Sequence, residues 1–185
     1  MKLSAKKSTL TGALCLKMLI IIAVTILTFN YFNDRTVLQI VNHNTGELLY
    51  EKNLNVGDQI KLKYIHSVTK QPVYEIFVVY DKSTLALKEM LYDSFGANLP
   101  VGPETTATET TKFIVEENYY RIVYENRRFD VIPLRVGQVI ADHTLIFKDE
   151  DTIRLLDIVE GGAYVEVHVK PLIGSFWKGR WLKID

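Results

Sequence analysis

The chain has 185 residues, 48% of them hydrophobic, with 22 Lys+Arg against 22 Asp+Glu. That suits one membrane segment plus one domain with a real core. Lys2, Lys6, Lys7 and Lys17 fall in an acid-free stretch; without them 18 basic residues face 22 acidic ones, a balance that makes the rest a poor candidate for nucleic acid.

The chain opens with these lysines and an apolar run. Residues 18–32, MLIIIAVTILTFNYF, carry no charge. At about 1.5 Å per residue they are short for a hydrocarbon layer of about 30 Å. Residues 10–32 are long enough if Lys17 turns its amine toward the headgroups. The expectation is a single transmembrane helix contacting the lipid bilayer through residues 10–32. The lysines place the N-terminus in the cytoplasm and residues from about 34 onward outside it. Phe29, Tyr31 and Phe32 then form an interfacial aromatic belt. A cleaved signal peptide is the rival, but Thr28 to Phe32 lack the small residues of a cleavage site. Cys15 is the only cysteine, so no intramolecular disulfide forms. Leu14 sits where lipidation wants a small residue, so a buried apolar cysteine is the simpler reading.

Asn33 to Thr36 read as a hinge between residues 1–33 and an exported domain, 34–185. Strand signals then recur at short intervals: 37–41, 47–52, 58–66, 72–81, 84–93, 111–117, 119–125, 129–137, 143–149, 151–159 and 163–171. β-branched and aromatic residues dominate them. The expected fold is all-β, an antiparallel β-sandwich or small barrel behind one N-terminal helix. The connection SFGANLPVGPETTATETT (94–111) is long enough to suggest a binding or disordered role. Its first half reads as a shaped turn and its second half as a solvated linker.

Alternate strand residues share a face. Ile60, Leu62, Tyr64 and His66 therefore form one row, and Val73, Glu75 and Phe77 form another on the next strand. A histidine and a glutamate thus occupy apolar rows near one loop. Two readings stand: a hydrogen-bonded His66–Glu75 site with mutually shifted pKa values, or buried polar groups that satisfy loop amides and fix the turn. Ser67 points away from His66, and no nucleophile elbow is present, so no catalytic residue is assigned. An exported hydrolase using His66 or Glu75 as acid or base, or a purely structural envelope protein, remains the alternative function.

His43, His66, His143 and His168 show no metal-ligand spacing, and no metal or cofactor is expected. His43 sits in a turn, His143 beside Asp142 in another, and His168 on a solvated strand face. Gly161-Gly162 read as a hairpin turn. GSFWKGRW (174–181) reads as aromatic closure of the core, or as a surface touching headgroups.

YIHSVTKQPVYEIF (64–77), SFGANLP (94–100) and, more weakly, IPLRVG (132–137) resemble a bacterial family labelled as a domain of unknown function. Its members carry a YxHSV…PVxE…F segment followed by a SxGAGLP loop. The resemblance covers roughly residues 38–185. Asn98 replaces the usual glycine, and asparagine tolerates the left-handed backbone a turn needs there. The resemblance implies a membrane-anchored extracytoplasmic accessory or binding protein, associated with a TRAP transporter of the TAXI type and its membrane or solute-binding subunits. It gives weight to His66, Ser67, Pro72, Glu75, Gly96, Asn98 and Pro100 as ligand-binding or motif residues.

Overall fold

The computed structural model describes residues 5–33, 35–138 and 140–172, with helix side chains described from 14 to 29. The chain divides into two compact units, Met1–Asp34 and Arg35–Asp185.

The first unit holds one helix, α1 (Ala5–Asn33). Its apolar residues follow one another without a polar stripe, so no single face is set aside for burial. Thr25 and Thr28 return their hydroxyls to carbonyls one turn back, at 2.8 and 2.9 Å, which removes two polar groups from an otherwise apolar surface. Cys15 is exposed instead of buried. Among the described residues no helix is long and apolar enough to cross a membrane.

The second unit is mostly β. Its strands are β1 (Arg35–Asn42), β2 (Leu48–Asn55), β3 (Gln59–Ile65), β4 (Pro72–Val79), β5 (Leu85–Tyr92), β6 (Lys112–Val115), β7 (Tyr120–Val123), β8 (Arg128–Phe129), β9 (Ile132–Arg135), β10 (Thr144–Phe147), β11 (Thr152–Arg154) and β12 (Tyr164–Pro171). Every pairing is antiparallel. One sheet runs β2-β1-β12-β9. The other runs β11-β10-β3-β4-β5-β7-β6, with β8 beside β5. Neither sheet closes into a barrel.

The alternation in each strand drives one face inward. Leu38, Ile40, Leu134, Val165 and Val167 from the smaller sheet join Ile60, Leu62, Phe77, Leu85 and Leu145 from the larger in one buried cluster. Burying such side chains contributes about 1.5–3 kcal/mol each. Ile60, Leu62, Phe77, Ile132, Leu134 and Val167 line one small apolar void, which places inner residues of both sheets against a common space.

Three expectations change. The run 129–137 is two strands in different sheets: β8 pairs β5, and β9 pairs β12. The run 151–159 stops being a strand at Leu155, where a 3₁₀ turn over Leu155–Asp157 drives Leu155 fully into the core. The stretch 104–111 is no bare linker. Glu104 and Thr111 exchange backbone and hydroxyl hydrogen bonds at 2.8–3.3 Å, a bridge joins Thr105 to Thr110, and Thr111 is buried. The motif GSFWKGRW lies outside the described residues.

Candidate functional site

The β3–β4 hairpin carries the motif. Its register pairs Leu62 with Glu75, Tyr64 with Val73, and Ile65 with Pro72. Its loop closes through His66 N–H to Gln71 O and Lys70 N–H to His66 O, both 2.9 Å, with Lys70 in the left-handed region (φ 61). Pro72 opens β4, where a missing N–H is tolerated at the first strand residue. Ser67 is exposed in the loop, where its carbonyl accepts from the Lys70 amine.

His66 is 7% exposed and both ring nitrogens are engaged. The amides of Val68 and Thr69 donate to Nδ1 at 3.3 and 3.2 Å. That nitrogen therefore carries no proton, and Nε2–H donates to the Ala97 carbonyl at 2.9 Å. The imidazole thus bonds its own loop on one side and the SFGANLP loop on the other.

That second loop is built to reach the ring. Leu99 N–H bonds Gly96 O at 3.1 Å, and Asn98 takes φ 65, the sign required at the third residue of a type II turn. Gly96 lies against the imidazole. A Cβ there would meet Cε1 at 2.5 Å and Nε2 at 2.9 Å, so only glycine permits this approach. The loop is anchored further by Leu99, which is buried, and by the Tyr92 hydroxyl donating to the Pro100 carbonyl. Phe95 stacks on Tyr120 at 4.3 Å. The loop therefore folds over His66, bringing Gly96 and the Ala97 carbonyl to it, while Asn98 shapes the turn and Pro100 is tied to Tyr92.

Glu75 does not join this junction. The register sets it opposite Leu62, four residues before His66, a displacement of about 13 Å along the strand. Its partner is Tyr64, whose hydroxyl bonds the carboxyl. Burial raises the Glu75 pKa, and the Tyr64 bond partly offsets this. Burial, then the Glu75 charge, raises Tyr64 in turn. Tyr124 lies close enough to feel Glu75, and burial first pushes it up to about 12. Its hydroxyl is buried without a hydrogen-bond partner among the described residues. Tyr64 and Tyr124 are the residues sequence reasoning missed. Their signal was position: each is a tyrosine standing in an apolar row, Tyr64 after Ile60 and Leu62, and Tyr124 after Ile122.

The other histidines divide. His143 accepts from Gly137 N–H at 3.3 Å and lies 5.5 Å from the Tyr64 ring, and burial lowers its pKa. His168 is not solvated as expected: β12 is an interior strand with Gln39 opposite it, its Nε2 is buried, and burial lowers its pKa. Among the described residues no group of three or more His, Cys, Asp or Glu side chains could hold a metal.

A family model described as a domain of unknown function (DUF1850) matches residues 60–154. The chain belongs to this family. The match spans both motif segments and is narrower than the 38–185 expected from the resemblance. It places the His66 loop, Glu75 and the Gly96 loop inside the DUF1850 segment, and leaves β1, β2 and β12 outside it. No curated protein and no solved structure matches the chain.

Proposed function

We propose that the chain is a membrane-anchored accessory or binding protein whose extracytoplasmic β-sandwich partners a TRAP-type (TAXI) solute transporter. The carrying observation is α1. Its large apolar side chains from Leu14 to Phe29 are each more than half exposed. An apolar run exposed on all sides of a helix needs a hydrophobic surrounding, and the lysines before that run favour a cytoplasmic N-terminus. Two open sheets sharing one core favour the sandwich over a barrel. The transporter partner rests on the likeness of residues 64–77 and 94–100 to the family motifs.

His66 favours a non-catalytic role. A general base needs a free nitrogen within reach of substrate, and both nitrogens of this ring are taken by backbone groups.

The test is fractionation of the full chain with alkaline carbonate washing, followed by affinity capture and solute uptake. The expected result is retention in the washed membrane, an extracytoplasmic C-terminal reporter, co-purification of transporter subunits and loss of one uptake activity on deletion. Release by carbonate overturns the anchor. Retention with intact uptake and no transporter subunit overturns the partner.

A further inference from the structure

The strand ends of β1, β12 and β9 lie side by side in the smaller sheet, and a cleft of about 530 Å³ opens there. It is lined by His43, Asn44, Pro133, Arg135, Gly162 and Tyr164, none of them in the His66 junction. Arg135 stands opposite Tyr164 in the β9–β12 register and is exposed. Arg121, Arg127 and Arg154 each face a carboxylate at 2.6–3.0 Å, and Arg128 lies over the Tyr80 ring at 3.8 Å. Arg135 has no such partner among the described residues. His43 is held beside it: its amide donates to Tyr164 O at 2.9 Å, and its ring lies 5.3 Å from that of Tyr164. Glu166 takes Nδ1 at 2.7 Å, which leaves Nε2 open. Gly162, at φ +89, turns the chain at the cleft wall where other residues are strained.

We propose that this cleft binds a small solute oxyanion, a carboxylate or a phosphate, through the Arg135 guanidinium. A guanidinium offers a planar fork of N–H groups that matches two oxygens of such an anion. Pro133 and Tyr164 supply the apolar wall that such pockets pair with a few polar groups. The inference rests on this cleft alone and is independent of the membrane reading.

The test is calorimetric titration of the full chain in non-ionic detergent with inorganic phosphate and, separately, acetate. Vesicles of phosphatidylglycerol and of phosphatidylcholine form a second arm. The expected result is saturable binding of one or both small anions. It weakens about tenfold or more in Arg135→Gln, as expected for losing charged hydrogen bonds. Arg128→Gln, away from the cleft, should bind normally, and thermal unfolding of Arg135→Gln should match the parent. If Arg135→Gln misfolds, Arg135→Lys carries the test, keeping the charge without the fork. No saturable response, or an equal response in the Arg135 variant, overturns the proposal. Arg135-dependent capture by phosphatidylglycerol vesicles alone overturns the solute assignment.

Discussion

His66 and Glu75 share one face of one hairpin, yet their surroundings are opposite. His66 is saturated: two amides and one carbonyl use both of its nitrogens, and a glycine presses on the ring. Glu75 is held apart from both loops. It has one tyrosine partner, burial opposes its charge, and an unbonded tyrosine hydroxyl lies nearby. The same kind of residue in the same kind of row therefore serves different ends. One joins two loops, and the other sets a half-buried carboxyl beside tyrosines within the sheet.

Substitutions separate the two regions. The largest effect is expected for His66→Ala, which strands the Ala97 carbonyl and two loop amides and leaves a cavity, a loss of about 3 kcal/mol in denaturant unfolding. A wild-type midpoint would make the junction ornamental. Next comes Gly96→Ala. Its methyl forces the ring or the loop aside, at a cost of about 2 kcal/mol, with new hydrogen exchange confined at first to residues 94–100. Uniform exchange across the domain would argue against a local clash.

The smallest expected effect concerns the second region. A carboxyl whose folded pKa is raised binds protons more readily in the native state. Its contribution to stability is therefore complete below the unfolded value, about 4.5, and fades as pH climbs through the folded value. Glu75→Gln should flatten that decline, seen by comparing unfolding midpoints between pH 4 and pH 8. Parallel curves for parent and variant would remove Glu75 as its source.

Much of this was legible beforehand. Alternation located the strands because each has one buried face, and the left-handed turn was readable from Asn98. The glycine loop over His66 was readable from its motif. The missing His66–Glu75 bond was not, because sharing a face says nothing of position along it. Only the register, Leu62 against Glu75, sets that separation. The division of 129–137 was equally hidden, since a strand's alternation is the same whichever sheet it enters. The Thr111–Glu104 exchange was obscured by composition: threonine-rich segments look solvated until a hydroxyl finds a backbone partner.

That division carries a mechanical consequence. Only Asp130 and Val131 separate β8, stitched to β5 in one layer, from β9, stitched to β12 in the other. A span this short has no slack, so one layer cannot peel from its mate without tearing a ladder. The domain should melt as a single cooperative body, with Asp130-Val131 acting as its rivet.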